Sequence, residues 1–232
     1  MTTLDLSTRS LRDVNAALQA AENGEFVITH PQGAHALACG LNDPIGVKIE
    51  GPVGYYCAGM NQLATVLVDG NAGTGLAENI MSGSVTITGN AGQSAAATGH
   101  GGLVAIHGNA SARCGISMKG VNIVVGGDVG HMSAFMAQAG NLVVLGDAGD
   151  DLGDSIYEAG LFVRGSVASL GADCIEKEIR PEHLEFLTTC LIDAGMNADV
   201  SDFRRYGSAR TLYNFQPDDV DAVSAFNERS DG

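Results

Sequence analysis

The sequence predicts an all-β fold: a single-stranded right-handed parallel β-helix of about seven 19-residue coils, with short helical caps at both ends. Three observations carry this. Gly51, Gly70, Gly89, Gly108, Gly127, Gly146 and Gly165 each stand 19 residues from the next. Aliphatic residues stand four and two positions before every one of these glycines, and the position seven after them holds only Ala or Gly. Self-similarity at a fixed short period is the signature of a solenoid, in which each unit buries its apolar face only against its neighbours.

Composition narrows the function classes. The 232 residues carry 12 Lys+Arg against 27 Asp+Glu, a formal charge of −15, so the field of the chain repels nucleic acid and anionic bilayers. Hydrophobic residues make up 45% and charged ones 17%, which argues against disorder. The 32 glycines do not fall on every third residue, which excludes collagen. Neither a signal-type apolar segment nor a membrane-length apolar run is present, and a cytoplasmic location is expected.

In chain order, residues 1–44 form an N-terminal helix and capping strand. Leu11, Val14, Leu18 and Ala21 recur at helical spacing, with Ser10 as N-cap and Asp13 completing a capping-box-like pair. Glu25 to Thr29 reads as the strand that starts the coil. Residues 45–172 are the seven coils. Val47, Val66, Val85, Val104, Ile123, Leu142 and Leu161 alternate with Ile49, Val68, Ile87, Ile106, Val125, Val144 and Val163, the period of a strand with one buried face. Asn or Asp follows the glycine in five coils, chemistry that suits a turn at positive φ or an asparagine ladder. The Ala/Gly column, which includes Ala58, Ala77, Ala96 and Ala134, points into a narrow bore.

Residues 173–232 form a helical cap and an extended tail. Pro181 opens a helix with Leu184, Leu187, Leu191 and Ile192 on one face and Gly195 at its end; Ser201 to Tyr206 reads as a further helical turn.

No reactive constellation emerges. The five cysteines, Cys39, Cys57, Cys114, Cys174 and Cys190, are too far apart for a C-x-x-C pair and read as buried reduced thiols. The six histidines form no metal motif, and Asp147, Asp150, Asp151 and Asp154 read as a solvated edge. We therefore expect no catalytic, cofactor-binding or metal-ligating residue on this chain. Arg180, Phe203, Arg204, Arg205, Tyr206, Arg210, Tyr213 and Phe215 are candidates for a partner interface, with packing against the rod itself as the open alternative.

The coils, reading aliphatic-x-aliphatic-x-Gly-[Asn/Asp]-[Ala/Val]-Gly, resemble the glycine-repeat (GXGXG) β-helix domain of glutamate synthase, which recurs as the C subunit of formylmethanofuran dehydrogenase. Flanking segments extend the likeness: Ser155 to Asp173, Arg180-Pro-Glu-His-Leu184, Phe203 to Arg210 and Leu212-Tyr-Asn-Phe215. These resemble the small stand-alone glutamate-synthase-like subunit of N-methylglutamate synthase. The resemblance covers about residues 25–215 and implies a non-catalytic structural subunit. It further implies an amidotransferase-like partner and a glutamate-synthase-like partner carrying FMN and an iron-sulfur cluster, which together exchange methylamine for ammonia on the glutamate skeleton. A formylmethanofuran-type dehydrogenase subunit is the alternative implication.

Overall fold

The structure is a computed structural model that describes residues 1–211. Strand β1 (Thr2–Asp5), helix α1 (Leu11–Gln19) and strand β2 (Gly24–Thr29) open the chain. One strand per coil follows: β3 (Ile45–Glu50), β4 (Thr65–Val68), β5 (Ser84–Ile87), β6 (Leu103–Ile106), β7 (Lys119–Val125), β8 (Ala139–Val144) and β9 (Gly160–Val163). Strand β10 (Cys174–Lys177), helix α2 (Pro181–Asp193), a 3₁₀ turn (Val200–Asp202) and strand β11 (Arg204–Ser208) complete it. All 11 strands lie in one sheet, parallel and in sequence order from β1 to β9.

The register stacks each column on itself. Val47 pairs with Val66, Val66 with Val85 and Val85 with Val104, and a second side is tied by the bridges Val53–Ala72–Ala91–Ala110–Val129–Ala148–Val167. Ile49, Val68, Ile87, Ile106, Val125, Val144 and Val163 are completely buried, each contributing about 1.5–3 kcal/mol of transfer free energy.

The Asn/Asp column forms the ladder. The Oδ1 atoms of Asn71, Asn90, Asn109, Asp128 and Asp147 accept the backbone N–H of residues 90, 109, 128, 147 and 166, at 2.7–2.9 Å. The turn reading of the same column is corrected here. Gly51 alone of the repeat glycines lies at positive φ; Gly70, Gly89, Gly108, Gly127, Gly146 and Gly165 do not, and neither do the Asn and Asp residues that follow them. Glycine is required by close approach instead. A Cβ at Gly89 would overlap Asn71 Oδ1 and stand 2.7 Å from the Gly70 carbonyl oxygen. One coil on, a Cβ at Gly108 would overlap Asn90 Oδ1 and stand 2.8 Å from the Gly89 carbonyl oxygen.

Left-handed backbone occurs elsewhere, at alternate residues along one stretch of each of the first six coils. In the third coil these are Ser94 (φ 58°), Ala96 (φ 54°) and Thr98 (φ 54°). Their N–H groups reach opposite neighbours: Ser94 and Thr98 donate to Ala112 and Ile116 of the following coil, Ala96 to Leu76 of the preceding one. Ala96 is thus constrained twice, by complete burial and by its φ. Ala96→Leu should cost about 1–3 kcal/mol by overpacking. Ala96→Gly, which removes the left-handed penalty, should be far better tolerated. Paired thermal melts check this ordering; equal melting temperatures for the two variants would refute it.

The N-terminal end is plugged by α1. Ser10 caps it by accepting the Asp13 N–H, while Asp13 accepts from the Ser10 hydroxyl rather than from its backbone amide. Val14 and Leu18 sit in the core. Asn15 donates to the Ala36 carbonyl and accepts from the Ala38 amide, and Gln19 donates to the Cys39 carbonyl. These side chains satisfy backbone groups that the terminal turn leaves without a preceding coil. That turn is itself a divergent coil: β2 pairs with β3 at an offset of 21 residues, Gly24 opposite Ile45.

At the other end β11 inserts antiparallel between β9 and β10. Arg204 to Tyr206 therefore belong to a strand, which corrects the helical reading; only Val200–Asp202 is helical. The unpaired edge of β9 supplies hydrogen-bond partners that local propensity does not register. Helix α2 lies across the outward face of the later coils. Leu187, Cys190, Leu191 and Ala194 pack with Phe203 on Ala105, Val124, Val143 and Phe162, forming a second core outside the bore. Ile192 points away and is 69% exposed. Among the described residues no helix is long and apolar enough to cross a membrane.

Candidate functional site

The C-terminal segment divides the predicted interface residues into two groups. Phe203 and Tyr206 are 3% and 2% exposed and pack within this chain, Phe203 under α2 and Tyr206 in the bore. Arg180, Arg204 and Arg210 are exposed, and Arg205 is half-buried. Tyr213 and Phe215 lie outside the described residues.

Alternation along β11 sets this division. Tyr206 pairs with Leu161 of β9 and follows it inward, whereas Arg205 pairs with Phe162 and follows it outward. Arg204 donates from Nη2 to the Gly165 carbonyl at 2.6 Å, sealing the last coil. Arg210 pairs with Glu158 at 2.9 Å, both half exposed, a contact of about 1 kcal/mol or less. Asp173 fixes the exit of the chain by accepting from the Ser208 hydroxyl and from the amide and hydroxyl of Thr211.

Arg205 lines an open depression of about 310 Å³ together with Lys177, Glu178, Arg180 and His183. Nothing in the local sequence marks Lys177, Glu178 or His183. Lys177 ends β10, Glu178 follows it and His183 lies in the first turn of α2; the insertion of β11 sets Arg205 beside them. The legible signal is the C-terminal concentration of basic residues. His183 accepts the Arg180 N–H on Nδ1 at 2.9 Å, so it caps α2 as a neutral ring. Burial, and next the Arg205 charge, push its pKa below the usual 6.5.

A depressed histidine pKa favours the neutral ring in the folded state. Its contribution to stability is fully present above pH 6.5 and is lost as pH falls through the folded-state value. Protonation also removes the acceptor that caps α2. Acidification below pH 6.5 should therefore raise the susceptibility of α2 to proteolysis, and His183→Gln, which keeps an acceptor, should flatten that dependence. A His183 titration midpoint at or above 6.5 by NMR would contradict this.

The remaining candidates have structural roles. Asp147 and Asp154 accept the Ser166 and Ala172 amides, and Asp150 accepts from the Ser169 hydroxyl. Cys57, Cys114, Cys174 and Cys190 are buried free thiols, and Cys39 is half-buried. Burial pushes the Cys114 and Cys174 pKa values up to about 12, far from the range of a nucleophilic thiolate.

The chain is 58% identical over 231 residues to a protein named GlxC from Rhizobium meliloti (strain 1021). The match covers 96% of this chain and 100% of that relative. The chain belongs to the GlxC family. Because the match to GlxC is full length, it takes in the coils and the larger part of both flanks alike. No family model matches the chain. No solved structure matches it.

Proposed function

We propose that this chain is a non-catalytic structural subunit of a glutamate-synthase-like transferase complex, N-methylglutamate synthase being the form its flanking segments fit best. One observation carries the reading. The side chains of the repeat that could serve chemistry hold the rod together: the Asn/Asp column binds the next coil, and Asp154 and Asp173 tie down the last turn and the exit strand. What such a chain offers a complex is a stiff body of fixed length with shaped ends and sides. In this reading it spaces and clamps an amidotransferase-like subunit and a subunit bearing FMN and an iron-sulfur cluster. Those partners exchange methylamine for ammonia on glutamate.

The test is purification of the tagged full-length chain from its own cells at native expression. The expected result is co-elution of two larger subunits, a flavin absorbance band, bound iron, and methylamine-dependent turnover of glutamate. A chain that elutes alone, with all flavin and activity in other fractions, would overturn the proposal.

A further inference from the structure

The outward column of the sheet ends in an arrangement that is unfavourable as it stands. From β6 to β9 that column is Ala105, Val124, Val143 and Phe162, covered by α2. The next two positions are Arg205 on β11 and Lys177 on β10, directly opposite each other in the antiparallel register. Like charges opposed across strands repel. Neither has an acidic partner within ion-pair distance among the described residues, because Glu178 and Glu182 both lie beside Arg180, at 3.8 and 3.9 Å. Arg180 adds a third cation at the rim of the depression, and the positive pole of the 13-residue helix α2 begins beside it. In a chain of net charge −15 with only 12 Lys and Arg, three cations converge on one hollow against a single lining carboxylate, Glu178.

The donors are shaped for an oxyanion. Arg205 uses Nη1 to donate to the Glu178 carbonyl at 3.3 Å. Its Nε is shielded and without a partner among the described residues, a buried donor left unsatisfied at the edge of the hollow. His183 holds its proton on Nε2, since Nδ1 is the acceptor, so the ring adds a donor and no negative charge. The lining is entirely polar or charged, and a hollow of about 310 Å³ suits a small, hydrophilic ligand.

We propose that Lys177, Arg180, His183 and Arg205 form a binding site for a small oxyanion, a phosphate or carboxylate group, at the seam between α2 and the last strands of the sheet. Binding neutralises the opposed pair, so the ligand stabilises the strand insertion that closes the rod. The site stands independently of the scaffold reading, and its test needs only the isolated full-length chain.

Thermal melts and titration calorimetry are run with inorganic phosphate, with succinate, and with sodium chloride at matched ionic strength. Phosphate or succinate should raise the melting temperature beyond the chloride control, by the linkage of ligand binding to folding. A response to phosphate alone assigns a tetrahedral anion, and a response to succinate alone assigns a carboxylate. Lys177→Gln should bind roughly tenfold more weakly or worse. Without added anion it should melt no lower than the parent, since it removes the repulsion; a purely structural role for Lys177 predicts a lower melt instead. Responses no greater than chloride, or undiminished in both Lys177→Gln and Arg180→Gln, would overturn the site.

Discussion

Replacing Gly146 by alanine lowers the melting temperature of the rod by roughly 6–12 °C, for a destabilisation of about 3 kcal/mol. The new Cβ would overlap Asp128 Oδ1 and stand 2.6 Å from the Gly127 carbonyl carbon and 2.7 Å from its oxygen. Two of these atoms are backbone, so a rotamer change in Asp128 does not relieve the contact. The sixth coil must lift away from the fifth. That weakens the Gly146 amide bond to the Gly127 carbonyl and the bond from the Asp147 amide to Asp128, together by about 1 kcal/mol, on top of about 2 kcal/mol of overpacking. Gly195→Ala is the control. It also has a demanding backbone, φ +67°, but nothing within 4 Å of the added carbon, so it should lose about 1 kcal/mol. Equal melting shifts for the two variants would show that glycine in the repeat column answers to conformation and not to crowding.

The second large effect is expected at Leu187. This side chain is fully buried between α2 and the outward sheet face, in a core that shares no residue with the bore. Leu187→Asp places a carboxylate against Val124, Val143 and Phe162, at a cost on the order of 4 kcal/mol or more. Because the two cores are separate, α2 should detach while the coils persist. A glutamate-specific protease should then cut rapidly within α2, after Glu182 and Glu185, with the β-sheet circular dichroism largely kept. Two other results would count against separable cores: a cleavage rate equal to the parent, or loss of sheet signal in step with cleavage.

The coils are legible in the sequence because each constraint repeats seven times. A single Gly, Val or Ala says little, but a column of them at one period reports the inside of the rod, the stacking and the register together. The physical reason for the glycine column is not legible in the same way. Gly followed by Asn or Asp fits a turn at positive φ equally well, and only the approach of one coil to the next shows that the missing Cβ at Gly89, Gly108 or Gly146 makes room for Asn71, Asn90 or Asp128. The site is harder still. Arg205 and Lys177 are 28 residues apart in the chain and meet only because β11 inserts between β9 and β10. Exposure was legible for Arg180, while Phe203 is covered by α2 and Tyr206 turns into the bore by alternation along β11.

The docking of α2 does leave one trace in the sequence. The outward column changes from Lys48, Leu67 and Thr86 to Ala105, Val124, Val143 and Phe162, so the later strands are apolar on both faces. Such strands are covered on both sides.

The sequence by itself determined the rod: its period and its inward columns, because a solenoid is built from contacts between equivalent positions and these are written as a repeat. Only the tertiary structure decided how the rod ends and what its surface carries. The bonds that seat α1 on the first turn, the return of β11, the docking of α2 and the cationic hollow beside it each depend on one meeting of distant residues, and a meeting that occurs once leaves no period to read.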